Sequence, residues 1–153
     1  MEEGEYRETY REFNSLRCVF EKSILSRQTM CEHAHRFCLA DREGIACQLA
    51  SAHKQCDALL SELRSKAIFA LKLTKIDGPL PHAKEVKVQT GGVVGLSHTI
   101  TDTDTQPPSL ENIYALIEQA KHKFGDLDSL PYDEITRQIV QYEGRTRRKQ
   151  TKR

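Results

Sequence analysis

Residues 29–47, TMCEHAHRFCLADREGIAC, concentrate side chains that bind metals or react as nucleophiles: three cysteines and two histidines fall within nineteen positions. If residues 30–43 form a helix, Cys31, His35 and Cys38 lie on one face of it, because positions i, i+4 and i+7 stack one above another. One helix then presents three soft or borderline ligands to a single metal ion.

A fourth ligand has to come from elsewhere in the chain, and two further cysteines fit. Cys18 lies off the apolar stripe predicted for the first helix, and Cys47 precedes a third helix whose positive N-terminal end favours a thiolate. Four thiolates suit a [4Fe–4S] iron–sulfur cluster or zinc, and His35 in place of one cysteine favours zinc. The predicted cofactor and metal ligands are therefore Cys18, Cys31, Cys38 and Cys47, with His35 as the alternative ligand.

Two other interpretations of the cysteines stay open at this point. Free cysteine often acts as a small apolar residue in a core, and Cys56 lies on the apolar stripe of the third predicted helix, where packing explains it. The other alternative is a reactive thiol, with Cys47 as the nucleophile of an enzyme. The spacings of 12, 6 and 8 residues between the four predicted ligands match neither a zinc ribbon nor a ferredoxin run.

Hydrophobic periodicity predicts the elements that position these residues. Apolar residues recur every three or four positions along residues 5–26 and 45–73, which predicts two helices. Between them, Thr29 and Glu32 form a capping box, which predicts a shorter helix that begins at Met30. Three helices joined by such short connections are typical of an antiparallel bundle.

The pattern changes in the middle of the chain and then returns to helical spacing. The segment EVKVQTGGVVGLSHTI alternates on both sides of a Gly-Gly pair, which predicts a β-hairpin. Apolar residues then step by three and four again, which predicts two C-terminal helices. The predicted fold is mainly α with a small β-hairpin, as one α-rich domain over residues 1–144: helical over 5–74, hairpin over 83–100, loop over 101–108 and helical over 109–143, followed by a basic tail over 145–153.

Composition and charge describe a globular protein with an uneven charge distribution. The chain of 153 residues is 38% apolar and 29% charged, and no stretch approaches the roughly 18 apolar residues of a membrane span. Residues 145–153 hold six of the 23 basic side chains and no acidic one. Residues 1–144 therefore hold 17 basic and 22 acidic side chains, a net charge of −5. The polar N-terminus favours a cytoplasmic location, where the five cysteines are expected to be reduced.

Common catalytic and nucleotide-binding motifs are missing from the sequence. The glycines of QTGGVVG fit neither GxxxxGK followed by Ser or Thr nor GxGxxG. There is no GxSxG and no HExxH. The sequence therefore contains no motif that would indicate an enzyme.

The stretches YREFNSLRCVFEKSILS and GPLPHAKEVKVQTGG, together with the spaced cysteines, resemble small bacterial proteins to which no activity is attached. That resemblance implies a bacterial origin and no function. On the residues themselves, the sequence predicts a small cytoplasmic metal-binding protein, most simply an iron–sulfur protein for electron transfer or an accessory subunit of a redox complex with a protein partner. The alternative is a non-enzymatic helical adaptor, which binds a protein or nucleic acid through the hairpin edge and the 145–153 tail.

Overall fold

A computed structural model describes residues 2–71, 80–101 and 111–143. The described residues are mostly helical, with one small antiparallel hairpin, which confirms the predicted fold class at that level. In chain order the elements are α1 (Glu3–Phe13), α2 (Glu21–Leu25), β1 (Thr29–Met30), β2 (Ala34–Leu39), β3 (Arg42–Cys47), α3 (Ala50–Ala70), α4 (His82–Thr101), β4 (Glu111–Asn112), α5 (Ile113–Phe124), a 3-10 turn (Leu127–Ser129) and α6 (Tyr132–Gln141).

The predicted first helix is divided into two helices, and the connection between them consists of turns and one β-bridge from Arg17 to Ala46. Asn14 ends α1, and its side-chain amide donates to the carbonyl oxygen of Ile45 at 3.0 Å. The following segment runs along the outer edge of β3, where the N–H of Cys18 donates to the Ile45 carbonyl and that of Cys47 to the Leu16 carbonyl. The break therefore places Cys18 beside β3.

The predicted helix over residues 30–43 is wrong, because this segment forms β1 and most of the β2–β3 hairpin. Ala40 and Asp41 connect the strands with φ values of 52° and 68°. Two consecutive left-handed residues form the turn that matches the twist of a two-residue hairpin. Thr29 does not cap a helix; its hydroxyl lies 2.8 Å from the Ser23 hydroxyl. The antiparallel three-helix bundle predicted for the N-terminal half is therefore absent from the described residues.

The predicted hairpin over residues 83–100 is also wrong, because α4 spans it as one helix. Most residues of α4 are buried, and a helix buried on nearly all sides has no polar face to reveal its period. The two central glycines serve packing. A Cβ on Gly91 would lie 2.9 Å from the Cα of Ile139 in α6, and one on Gly92 would lie 2.6 Å from a methyl of Leu63 in α3.

The remaining helices form close to where they are predicted. The long helix α3 lies within predicted residues 45–73, and α5 and α6 lie within 109–143. The stripe Tyr132, Ile135 and Ile139 of α6 is buried against α4. These helices enclose one hydrophobic core with α2 and β3.

No helix in the three described ranges is long and apolar enough to cross a membrane. The predicted basic tail over residues 145–153, and the predicted loop over 101–108 apart from Thr101, lie outside those ranges.

Candidate functional site: a cavity lined by four thiols

The structure separates the predicted ligands into two groups. Cys18, Cys31 and Cys47 line one cavity, whereas Cys38 and His35 are exposed on β2 and do not line it. The predicted helical face of Cys31, His35 and Cys38 does not exist, because β2 starts three residues after Cys31.

The metal-binding function predicted from the sequence is wrong. Within the described ranges, which include all five cysteines, no group of three or more His, Cys, Asp or Glu side chains could hold a metal ion. The iron–sulfur and zinc interpretations, and the electron-transfer role built on them, fail with this finding.

Four of the five cysteines surround the same narrow space, which we call the thiol cavity. Its interior volume is about 20 Å³, enough for about one water molecule. Besides the three cysteines predicted as ligands, Cys56 lines it, although its position on the apolar stripe of α3 had indicated simple packing. The lining residues are Cys18, Val19, Phe20, Cys31, His33, Ala34, Cys47, Ala52, His53, Cys56, Ile113 and Tyr114.

Each thiol reaches the cavity from a different part of the fold. Cys18 is held by the contact with β3 described above, and Cys31 follows β1, with its carbonyl accepting from the N–H of Ala34 at 3.1 Å. Cys47 is the last residue of β3, and its thiol donates to the Leu49 carbonyl at 3.3 Å. Cys56 lies in the second turn of α3. Non-local packing alone therefore assembles the cavity.

Burial makes most of these thiols weak acids. Burial, with smaller contributions from negative charge on Cys31 and Cys47, raises the pKa of Cys18 to about 12. Burial likewise raises the pKa of Cys31 and of Cys56, and the charge of Cys47 adds to both shifts. These mutual effects mean that the sulfur atoms are electrostatically coupled. At neutral pH Cys18, Cys31 and Cys56 are protonated thiols.

Two histidines complete the walls of the cavity. The ring of His33 packs edge-on against Tyr114 of α5, with centroids 4.4 Å apart. The Nε2 atom of His53 lies 2.9 Å from the carbonyl oxygen of Arg17. Because a carbonyl only accepts hydrogen bonds, the neutral ring of His53 carries its proton on Nε2, which leaves Nδ1 as an acceptor.

A second depression, which we call the charged groove, lies on the other side of Cys18, Val19 and His53. Its volume is about 410 Å³, within the range of small-molecule sites. It is lined by Arg17, Cys18, Val19, Glu21, Lys22, His53, Asp57, Arg64, Glu85 and Gln89. Three residues thus belong to the walls of both the thiol cavity and the charged groove, and Cys18 is the cysteine among them.

Glu21 is one of two buried carboxylates that form the base of the charged groove. Its side chain is 6% exposed. It accepts hydrogen bonds from the Tyr10 hydroxyl, from Arg17 Nε at 2.6 Å and from the Ile45 N–H at 2.9 Å. These bonds join α1, α2 and β3 below the groove.

Glu85 is the other buried carboxylate, and its side chain is fully buried. Arg64 donates to it from Nε at 3.2 Å and from a terminal nitrogen at 2.7 Å, and Gln89 Nε2 and the Leu80 N–H add bonds of 2.7 and 3.0 Å. Burial alone raises the pKa of Glu85, but these donors outweigh it and hold the pKa below its usual value. Glu85 therefore stays ionised and fixes Arg64 at the groove.

Apart from Cys18, the groove residues escaped the sequence analysis because no local pattern joins them. They come from the segment before α2, from α2 itself, from α3 and from α4, and each taken alone resembles an ordinary charged residue on a helix. The adaptor interpretation also changes, because the hairpin edge on which it relied belongs to helix α4. Its other part, a nucleic-acid contact through residues 145–153, stays a prediction.

No protein-family model, curated protein or solved structure matches this chain.

Proposed function

We propose that this protein is a thiol–disulfide redox protein, in which the thiol cavity stores electron pairs as reduced thiols and releases them by forming disulfides. The observation that carries the proposal is the convergence of Cys18, Cys31, Cys47 and Cys56 from four separate segments on one narrow cavity. Cys18, Cys31 and Cys56 also pack against the hydrophobic core, so it is the sharing of one cavity by four thiols, and not their burial, that supports the proposal.

The reaction can be written with a low-molecular-weight disulfide as the oxidant. The thiolate of Cys18 attacks one sulfur of that disulfide, forms a mixed disulfide and expels a small thiolate, which takes up the proton lost by Cys18. A second cavity thiol then attacks the Cys18 sulfur and expels the second small thiol. In sum, two protein thiols are oxidised to one disulfide and one small disulfide is reduced to two thiols.

Oxidation with a neutral disulfide tests the proposal directly. We expect that full-length protein equilibrated with bis(2-hydroxyethyl) disulfide forms two internal disulfides among the cavity cysteines. The exposed Cys38 lies outside the cavity and should form only a mixed disulfide with the reagent. Alkylation after denaturation, followed by peptide mass spectrometry, counts and locates the remaining thiols. Each disulfide should also raise the stability of the fold by about 2–4 kcal/mol.

Two serine variants make the test specific. Cys47→Ser should form a single disulfide and leave one cavity cysteine unpaired, because three cavity thiols remain. Cys38→Ser, the matched control, should still form two. Recovery of all four cavity cysteines as alkylated thiols after prolonged oxidation would refute the proposed function.

The rate of oxidation should depend steeply on pH. Since only the thiolate attacks, and since the pKa of Cys18 is raised to about 12, the rate should rise about tenfold per pH unit and continue to rise beyond pH 9. An ordinary thiol, with a pKa near about 8.5, levels off there. Thiol loss of the Cys38→Ser variant between pH 7 and 10, compared with that of a small reference thiol, measures this without a contribution from the exposed Cys38. A plateau near pH 8.5 would contradict attack by Cys18.

A further inference from the structure

We propose that the charged groove binds the small thiol or disulfide with which the thiol cavity exchanges, and that this molecule is peptide-like and carries both carboxylate and ammonium groups. The inference rests on the proposed function and adds the class of its substrate. It is supported by the wall that the groove and the cavity share, and by charged side chains of the groove that contacts in the described part of the chain leave with unused donors or acceptors.

Position is the first argument. The thiol cavity, at about 20 Å³, is too small for any thiol larger than a few atoms, so an exchanging molecule has to lie outside it. The charged groove, at about 410 Å³, has room for a tripeptide. Cys18 borders both spaces, so a sulfur held in the groove meets one cavity thiol and the other three stay behind it.

The cations of the groove provide the second argument, because each retains donors after its contacts within residues 2–71, 80–101 and 111–143. Arg17 binds Glu21 through Nε, and Arg64 binds Glu85 through Nε and one terminal nitrogen. Within the described residues, the other terminal nitrogens of both arginines make no hydrogen bond. Lys22 Nζ contacts only His82 Nδ1 there, at 3.2 Å. The Arg17 guanidinium also lies 4.6 Å from the centre of the Tyr10 ring. Contacts within the protein therefore fix Arg17 and Arg64, and we expect their remaining donors to bind a ligand carboxylate.

The anionic side of the groove provides the third argument. Glu21 and Glu85 are saturated by donors of the protein, but Asp57 is exposed and forms no hydrogen bond or ion pair within the described ranges. One free carboxylate beside three cations fits a ligand that carries one ammonium and more than one carboxylate. A simple inorganic anion would leave Asp57 unused, and a neutral thiol would leave all four groups unused.

A probe that cannot exchange disulfides tests this site independently of the redox chemistry. S-methylglutathione has two carboxylates, one ammonium and a blocked sulfur. We expect it to bind the reduced full-length protein, detected by calorimetry or by shifts of amide resonances along the groove. Lys22→Gln should weaken binding about fivefold, the effect of one partly exposed charge pair.

The matched control is Lys84→Gln, which removes the same charge from an exposed position of α4 outside the groove lining and should leave binding unchanged. In a second measurement, glutathione disulfide should oxidise the cavity faster than bis(2-hydroxyethyl) disulfide, and Lys22→Gln or high salt should reduce that advantage.

The outcomes distinguish the two proposals. If S-methylglutathione fails to bind, or binds equally to Lys22→Gln, the groove inference is overturned even where the neutral disulfide oxidises the cavity. If it binds as expected but neither disulfide oxidises the cavity cysteines, the groove stands as a binding site and the redox function fails.

Discussion

Replacement of Arg64 by alanine should lower the free energy of unfolding by about 3–5 kcal/mol, because it leaves the carboxylate of Glu85 buried without its cation. The side chain of Glu85 is fully buried, and that of Arg64 is 21% exposed. The remaining donors, Gln89 and the Leu80 N–H, cannot neutralise the charge. Because small domains are stable by only about 5–15 kcal/mol, this single loss should bring the protein close to unfolding.

Urea denaturation followed by circular dichroism measures the effect. The matched control is Arg137→Ala, which removes an ion pair with Glu134 whose side chains are 58% and 42% exposed. Exposed pairs contribute only about 0–1 kcal/mol, so this variant should resemble the wild type. The double variant Arg64→Met with Glu85→Leu should recover much of the lost stability, since it buries no unpaired charge. An Arg64→Ala variant no less stable than Arg137→Ala would show that this buried pair does not support the fold.

The second large effect is expected from Gly91→Leu, which should lower the free energy of unfolding by about 3 kcal/mol through overpacking. A Cβ at this position would lie 2.9 Å from the Cα of Ile139 and 3.2 Å from the Cβ of Tyr142. The first of these is backbone, so a rotamer change cannot relieve the clash and α6 has to move away from α4. The contact between these two helices is the most extensive in the described fold.

Gly4→Leu separates this steric cost from helix propensity. Gly4 lies in α1, and apart from its chain neighbours and the backbone of its own helix no atom lies within 4 Å of the position that a Cβ would take there. Leucine at this position should therefore stabilise the protein by up to about 1 kcal/mol, the propensity difference between glycine and a good helix former. Thermal and urea unfolding of the two variants give the comparison. Equal stabilisation of both variants would mean that α6 does not pack closely on Gly91.

Where a helix has one buried and one exposed face, the sequence predicted it well. The stripes of α5 and α6 and the spacing of Leu59 and Leu63 in α3 appear in the structure as buried faces. In these segments the local order of apolar and polar residues identifies the buried face of the helix, and a window of about a dozen residues is long enough to show it.

The two largest errors in the predicted fold are a helix predicted where a hairpin forms and a hairpin predicted where a helix forms. In both segments the local sequence pattern is misleading. Residues 30–43 contain an apparent capping box and helically spaced cysteines, but Thr29 bonds Ser23 and Ala40 and Asp41 adopt left-handed turn geometry. Residues 83–100 are valine-rich with paired glycines, which favours strands and a turn. In the structure Leu63 and Ile139 pack against those glycines, and these contacts with α3 and α6 are absent from the local pattern.

The amino-acid sequence by itself determined that the protein is mainly helical, where its amphipathic helices lie, and that it carries five cysteines without a known ligand spacing. The tertiary structure decided which cysteines meet, excluding Cys38 and including Cys56, and it placed the charged groove beside Cys18. The physical reason is the distance along the chain over which residues interact. Periodicity shows which residues of one segment are buried, whereas a cavity lined by four segments depends on contacts between residues far apart in the chain.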